Sequence, residues 1–162
     1  MTLRDSEVQP YIISGYQMYL PVVRIIFIIV VTWQMQTTRA DETDPGDLFQ
    51  QAQASYEAAQ YQSSLAQIQQ AIALDPDNSS YYHLLGKCYG RLAEHANPLL
   101  AYSLAKKTRK ALEKAVELDG RNIRALQDLM QYYLQAPGFL GGGQQKAEKI
   151  QKILKDIETS KG

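Results

Sequence analysis

The sequence predicts an all-α protein, and three observations support this fold class. Beyond residue 40 the apolar residues recur at helical spacing, strand-like alternation is almost absent, and one short closing pattern ends two of the predicted helices. A chain of 162 residues is long enough for one domain with a sizeable core. We therefore expect a short α-solenoid of about three helix pairs with an elongated middle pair, preceded by an N-terminal signal segment.

An apolar segment near the N-terminus has the composition of an export signal. Arg24 precedes an apolar run over residues 25–33, and the small residues Thr38 and Ala40 follow. A positive charge, an apolar stretch of ~7–15 residues and small residues before the cleavage site are the features of a secretory signal peptide. The sequence therefore predicts a signal peptide over residues 1–40, cleavage after Ala40 and a periplasmic location.

Two alternatives for this segment stay open. The apolar run is shorter than the roughly 20 residues that cross a bilayer, yet an uncleaved anchor over residues 19–33 would tether the protein to the inner membrane. Residues 1–17 fit neither a signal nor an anchor, so translation from Met18 is a further alternative. The remaining chain is then divided into an acidic linker, a repeat domain and a tail, over residues 41–47, 48–158 and 159–162.

Capping and turn residues divide the chain beyond this segment into helices. Asp44 can cap a first helix with Pro45 in its first turn, where proline loses no hydrogen bond. A later helix ends at Asp75-Pro76, because proline cannot continue the helical ladder. The pattern Ala71-x-x-Leu74-Asp75-Pro76 recurs as Ala115-x-x-Leu118-Asp119-Gly120, and an asparagine and a new helix follow each copy. The unit therefore repeats.

This unit resembles the tetratricopeptide repeat, a pair of antiparallel helices. The resemblance covers about Pro45 to Ile157. The first helix of a tetratricopeptide repeat typically contains the pair Leu-Gly. In the first repeat of this chain Gln51-Ala52 stands in place of that pair, and in the third repeat Met130 stands in place of the glycine. The positions that match are Tyr61, Ala71 and Pro76, then Tyr82, Leu85, Gly86, Tyr89 and Ala115, then Leu126, Leu129 and Tyr133. The resemblance implies stacked helix pairs with a concave groove, and it adds no catalytic activity.

Gly86 lies inside a predicted helix, where glycine costs about 1 kcal/mol of helix propensity. The missing Cβ would let a neighbouring helix approach closely, so packing would outweigh propensity. We therefore expect Tyr82, Gly86 and Tyr89 to be wedged between neighbouring helices.

The second repeat is longer than the family's spacing. Asn97 followed by Pro98 predicts a helix start, and the helix should run over residues 98–118. Both helices of this repeat would then project beyond the solenoid. Their apolar residues either pack on the neighbouring repeat or cover another apolar surface, and these residues are Leu99, Leu100, Tyr102 and Leu104.

A glycine-rich segment interrupts the third repeat. Pro137 and three consecutive glycines end one helix, and the next should begin near Gln144. The Lys-Ser/Thr pair of a phosphate-binding loop does not follow these glycines, so the loop does not predict a nucleotide site. We expect instead that Phe139 and Leu140 tuck under the helix pair as a lid.

The resemblance implies that the first helix of each repeat lines the groove. The groove-facing positions would be Phe49, Gln53 and Tyr56, then His83, Lys87 and Arg91, then Arg124, Gln127 and Gln131. The second of these sets forms a basic row at i, i+4 and i+8 on one helical face. Such a row, beside amides and aromatics, would suit an acidic peptide or protein segment.

Charge and composition narrow the classes of function. Equal numbers of basic and acidic residues, 17 each, give no general case for nucleic-acid binding. Residues 41–80 carry seven acids and no Lys or Arg, whereas residues 81–115 carry seven bases and two acids. This polarity would also let two copies meet head to tail as a homo-oligomer.

Few residues of the sequence are suited to catalysis or cofactor binding. His83, His95 and the single Cys88 would need carboxylates from distant helices to complete a zinc site, and Cys88 is interpreted as a small apolar packing residue. The sequence therefore predicts a non-enzymatic interaction module of the bacterial cell envelope, without a cofactor or metal. An assembly or oligomerisation factor tethered to the inner membrane and an envelope enzyme or hydrolase accessory are the alternatives.

Overall fold

The computed structural model describes residues 44–160, which form six α-helices and one 3-10 helix, with no strand in this range. The helices are α1 (Pro45–Glu57), α2 (Tyr61–Leu74), α3 (Ser79–Glu94), α4 (Pro98–Leu118), α5 (Ile123–Gln135), the 3-10 helix (Gly138–Leu140) and α6 (Gln144–Thr159). The all-α prediction is confirmed for this part of the chain. The predicted signal peptide, its cleavage site and the alternative anchor over residues 19–33 lie outside the described residues.

The helices form three pairs that stack in chain order. α1 packs on α2, α3 on α4 and α5 on α6, while α2 with α3 and α4 with α5 join successive pairs. The first helices of successive pairs also touch one another, α1 with α3 and α3 with α5. Within residues 44–160 the second helices, α2, α4 and α6, make no such mutual contacts. The first helices therefore line the inner side of the stack.

Most predicted helix ends are confirmed, because their caps are local. The Asp44 side chain accepts a hydrogen bond from Gly46 N at 2.9 Å, and Asn97 Oδ1 accepts one from Leu100 N at 3.0 Å. The middle pair is elongated as predicted, with 16 residues in α3 and 21 in α4. α1 starts at Pro45, as the Asp44 cap predicts, and so includes the last residues of the predicted acidic linker.

Two clusters of buried side chains form the core. The first joins α1, α2 and α3, and its members are Leu48, Ala52, Ile68, Ala71, Tyr81, Leu84 and Cys88. The second joins α4, α5 and α6, and its members are Leu112, Leu126, Leu129, Tyr133, Ala147, Ile150 and Ile157. The middle pair contributes to both clusters, so it connects the two ends of the stack.

Gly86 is the point of close approach between α3 and α4. It is buried, and a Cβ at this position would lie 2.8 Å from Cδ2 of Leu112 and 2.9 Å from its Cγ. The predicted role of Gly86 is confirmed. Tyr82 and Tyr89 are only partly buried, and the fully buried tyrosine of α3 is Tyr81. The prediction of the two wedged tyrosines was therefore right only in part.

Cys88 packs in the first core cluster. It is fully buried, and its sulfur lies 3.1 Å from Oγ of Ser64, which is also buried and donates to the carbonyl of Ala52 at 2.7 Å. Burial raises the pKa of the Cys88 thiol, because the apolar surroundings disfavour the thiolate. The surroundings of Cys88 are those of a packing residue.

The glycine-rich loop does not form the predicted lid. Phe139 is 74% exposed, and its ring stacks on Tyr102 with 6.2 Å between centroids, whereas Leu140 is half-buried. The loop turns tightly because Gly143 N donates to the carbonyl of Tyr133 at 2.8 Å. This turn carries Phe139 outward, so the expectation that it tucks under the helices was wrong.

The elongated end of α4 is largely uncovered. Of the four apolar residues predicted to project there, only Leu104 is buried, while Leu99, Leu100 and Tyr102 are exposed. Across residues 44–160, no helix has both the length and the apolar character that a membrane crossing requires.

Candidate functional site

The groove predicted along the first helices contains a small cavity. Its volume is about 220 Å³, and it lies between α1, α3 and α5. Five of the nine predicted groove residues line it, together with Ser80, Leu84 and Asn122; the five are Phe49, Gln53, His83, Lys87 and Arg124. The three first helices thus bring residues from all three predicted sets into one place.

A second cavity continues along α3 and lies between α3, α4 and α5. Its volume is about 340 Å³, and the predicted residues Lys87, Arg91 and Gln131 line it. Lys87 is common to both cavities, so it marks the middle of the groove. Of the two remaining predicted residues, Tyr56 packs beside Lys87, and Gln127 is exposed on α5 and lines neither cavity.

The predicted basic row is partly neutralised by neighbouring carboxylates. His83 Nε2 lies 2.7 Å from Oδ2 of Asp128, which bridges α3 to α5. Arg91 Nη1 lies 2.9 Å from Glu94 on its own helix, and this hydrogen bond raises the pKa of Arg91. Of the three basic or potentially basic groups predicted on α3, Lys87 is the one without a carboxylate partner within residues 44–160.

Lys87 and Arg124 are the available cations of the groove. Within residues 44–160, neither has a carboxylate within salt-bridge distance. Lys87 Nζ lies 4.4 Å from the centroid of the Tyr56 ring, where the face of the ring attracts the cation. Burial is the largest influence on Tyr56 and raises the pKa of its phenol, although the nearby Arg91 opposes this shift. The contact with the Tyr56 ring restricts the position of the Lys87 ammonium.

Sequence reasoning missed Asp128, the acidic residue of the groove. Asp128 follows Arg124 by four residues and precedes Gln131 by three, so helical spacing places it on the same face as these predicted groove residues. The spacing could have identified Asp128 as a groove residue. Its pairing with His83, 45 residues away in sequence, depends on how α3 and α5 stack and carries no local signal.

The groove is equipped for polar binding. Phe49 and Tyr56 supply aromatic surface, Gln53 supplies an amide, and Lys87 supplies a positive charge. Such a mixture can accept the backbone and the acidic side chains of an extended segment. Within residues 44–160 no group of three or more His, Cys, Asp or Glu side chains could hold a metal ion.

The fold and the groove define a protein of the helical-repeat class, with a tetratricopeptide-like arrangement of helix pairs. No family model and no curated protein matches the chain. Among solved structures, the crystal structure of MamA matches with a TM-score of 0.59 and 24% sequence identity. The match covers 74% of this chain and 61% of the MamA chain, so this chain spans less than two thirds of that protein. The likeness supports the helical-repeat fold.

Proposed function

We propose that this protein is a non-enzymatic interaction module that binds an acidic segment of a partner protein in the groove along α1, α3 and α5. One observation carries the proposal. Lys87 and Arg124, which have no carboxylate partner within residues 44–160, line the same 220 Å³ cavity on the inner side of the stack. Cations that face a recess without a partner carboxylate favour an incoming carboxylate.

The shape and lining of the groove favour an extended segment over a small molecule. Two cavities follow one another along α3, and Lys87 belongs to both. An extended peptide could place one acidic side chain near Arg124 and another near Lys87, with apolar contact to Phe49. Asp128 and Glu94 line the second cavity. Their carboxylates would repel an acidic side chain of the peptide, which restricts where its acidic residues can bind.

The test is binding of fluorescent peptides that differ only in charge. Glutamate-rich peptides should bind the wild-type protein more tightly than their glutamine counterparts. The double variant Lys87→Glu plus Arg124→Glu should lose at least about tenfold in affinity, since each charge-assisted contact contributes ~1.5–3 kcal/mol. The matched control is Lys152→Glu plus Lys155→Glu on α6, which changes the net charge equally on exposed positions outside the groove. Equal loss in both variants, or no preference for glutamate, would refute the groove.

Pull-down from the native cell extends this test to the partner itself. Wild type and the Lys152→Glu plus Lys155→Glu control should recover the same protein, and the groove variant should not. Unchanged recovery with the groove variant would refute this site.

We also infer that the protein works in the bacterial cell envelope and is exported to the periplasm. The support is the order of Arg24, the apolar run over residues 25–33 and the small residues before residue 41. Cell fractionation with mass spectrometry of the mature N-terminus tests this proposal. A soluble periplasmic protein that begins at Asp41 is expected. An intact Arg24 segment in the membrane fraction would refute the soluble periplasmic module and would favour an assembly factor tethered to the membrane.

A further inference from the structure

One end of the stack presents a group of large apolar side chains. There α3 turns into α4, and the 3-10 helix lies beside the start of α4. Leu99 is 82% exposed, Phe139 74%, Leu100 50% and Tyr102 42%. Tyr102 and Phe139 also line an apolar cavity of about 490 Å³ with Pro98, Ala101 and Leu140. Single exposed apolar residues are common, but four of them within one short part of the stack favour an interaction surface. We name it the apolar tip, consisting of Leu99, Leu100, Tyr102 and Phe139.

The surroundings of the apolar tip are positively charged. Between Glu94 and Glu113 the chain carries four bases, Lys106, Lys107, Arg109 and Lys110, of which Arg109 pairs with Glu113 at 3.1 Å. Lys106, Lys107 and Lys110 are exposed on α4. Glu94 is the acidic residue that lines the cavity within the described chain, and it pairs with Arg91 at 2.9 Å. This end of the molecule therefore complements an anionic surface.

The lysines and the apolar tip have the spacing of an interfacial anchor. Lys106 and Lys107 each follow Leu99 and Leu100 by about two helical turns, which is roughly 10 Å along the helix axis. Apolar groups of interfacial proteins enter a bilayer by ~5–10 Å. With the leucines at that depth, the ammonium groups would lie at the level of the lipid headgroups, and the flexible lysine stems could extend to reach them.

We propose that the apolar tip docks on a membrane surface that contains anionic lipids. Leu99, Leu100 and Phe139 enter the interface, and the lysines of α4 contact the headgroups. A bilayer is favoured over a folded partner because Leu99 and Phe139 protrude into solvent, and a bilayer conforms to protruding side chains without a complementary pocket. The exposed lysines that follow the apolar tip on α4, Lys106, Lys107 and Lys110, also favour anionic headgroups.

The test places an environment-sensitive fluorophore at the tip of the full-length protein. Leu100→Cys provides the attachment point, and the buried Cys88 should not react in the folded chain. Vesicles of phosphatidylcholine with phosphatidylglycerol should shift the emission to the blue, and brominated lipids should quench it. Vesicles of phosphatidylcholine alone should have little effect.

A second labelling site separates the tip from any other membrane contact. Asp77 is exposed in the turn between α2 and α3, at the opposite end of α3 from the tip. The same fluorophore on Asp77→Cys should remain in water. If the N-terminal apolar run alone held the protein on vesicles, the probe at position 100 would also stay unshifted, and the proposal would be overturned.

The charge requirement is tested with paired lysine variants. Lys106→Gln plus Lys107→Gln should weaken partitioning onto anionic vesicles on the order of 30-fold. The control, Lys152→Gln plus Lys155→Gln, removes the same charge from α6 and should leave partitioning unchanged. Equal partitioning onto neutral and anionic vesicles would contradict the proposal. A blue shift with an acidic amphipathic helical peptide but not with vesicles would assign the tip to a protein partner and refute membrane docking.

Discussion

Gly86 and Gly90 lie one turn apart on α3, yet a side chain would meet different surroundings at the two positions. A Cβ on Gly86 would collide with Leu112, which is itself 3% exposed and has little room to move. A Cβ on Gly90 would lie 3.8 Å from Thr108, an ordinary contact. The two glycines therefore separate the packing role of glycine from its cost in helix propensity.

We expect Gly86→Ala to destabilise the protein and Gly90→Ala to stabilise it. Both alanines gain about 1 kcal/mol of helix propensity. At position 86 overpacking costs about 2 kcal/mol, which leaves a net loss of about 1 kcal/mol in the free energy of unfolding. Urea unfolding followed by circular dichroism measures both changes. A stabilised Gly86→Ala variant would show that α3 and α4 do not approach as closely as described.

Tyr133 is a buried tyrosine whose phenol has an anionic hydrogen-bond partner. Its hydroxyl donates to Glu113 Oε1 at 2.8 Å, and Arg109 pairs with the same carboxylate at 3.1 Å. Burial first, and then the Glu113 carboxylate, raise the pKa of Tyr133 well above its usual value of 10, because both disfavour the phenolate.

This shift predicts an alkaline loss of stability. Above pH 10 the unfolded tyrosine releases its proton while the folded one keeps it, so the free energy of unfolding falls as pH rises. The contribution is fully present below pH 10 and is lost at higher pH, by about 1.4 kcal/mol per pH unit. Tyr133→Phe should flatten this alkaline fall in denaturant titrations, and Glu113→Gln should reduce it. An identical alkaline slope in wild type and Tyr133→Phe would contradict the assignment.

Single residues were predictable where their role is local or follows helical spacing. Gly86 was identified because a glycine inside a helix needs a packing reason. Ser64 was not predicted as a core residue, since polar residues are not counted in an apolar stripe. It is nevertheless fully buried, and its hydroxyl donates a hydrogen bond to the Ala52 carbonyl. The partners of His83 and Tyr133 lie 45 and 20 residues away, and only the stacking of the helices brings them together.

Among the structural elements, the loop between α5 and α6 depends on backbone contacts that only some of its glycines make. A Cβ on Gly142 would collide with the carbonyl oxygen of Ala136, whereas a Cβ on Gly138 would meet nothing within 4 Å. Tyr132 Oη donates to the Leu140 carbonyl at 3.1 Å, and Lys146 Nζ donates to the Gly141 carbonyl at 2.8 Å. The loop is therefore a fixed element of the fold.

We expect Gly142→Ala to disrupt this loop and Gly138→Ala to be tolerated. The first should lower the free energy of unfolding by about 2 kcal/mol or more, because the loop must rearrange to clear Ala136. The second should change it by less than about 0.5 kcal/mol, as is usual for exposed positions. Thermal unfolding compares the two, and hydrogen exchange at Gly143 N reports the loop itself. Equal effects would show that the tight turn does not depend on Gly142.

Helices and loops were predictable to different degrees, because some are determined by neighbouring residues in the chain and others by contacts with distant residues. The bounds of α4 agree with the prediction because Asn97, Pro98 and the Leu118-Asp119 closure are signals within the chain. The path of the glycine-rich loop was not predictable, because it depends on the Tyr133 carbonyl of α5, which accepts from Gly143 N, and on the Arg109 side chain of α4, which lies against Gly141. For this reason Phe139 was expected inside and lies outside.

At the scale of the whole molecule, two core clusters are connected through the middle pair. Tyr81, Leu84 and Cys88 of α3 belong to the first cluster, and Leu112 of α4 belongs to the second. The middle pair also holds the third pair through a polar contact, in which Asn122 Nδ2 at the start of α5 donates to Ser79 Oγ of α3 at 2.8 Å. Each end of the stack thus depends on the middle pair and not directly on the other end, as in repeat proteins in general.

This arrangement predicts that a core substitution destabilises mainly the helices around its own cluster. Ile68 and Leu126 are both fully buried, one in each cluster, and replacing either by alanine should cost about 2–5 kcal/mol. Native-state hydrogen exchange should then separate the two variants. Ile68→Ala should speed exchange mainly in α1 and α2, and Leu126→Ala mainly in α5 and α6, while α3 and α4 stay the slowest in both. Uniformly faster exchange in all six described helices of both variants would mean that the stack unfolds as one unit, because local loss of packing would then be felt equally at both ends.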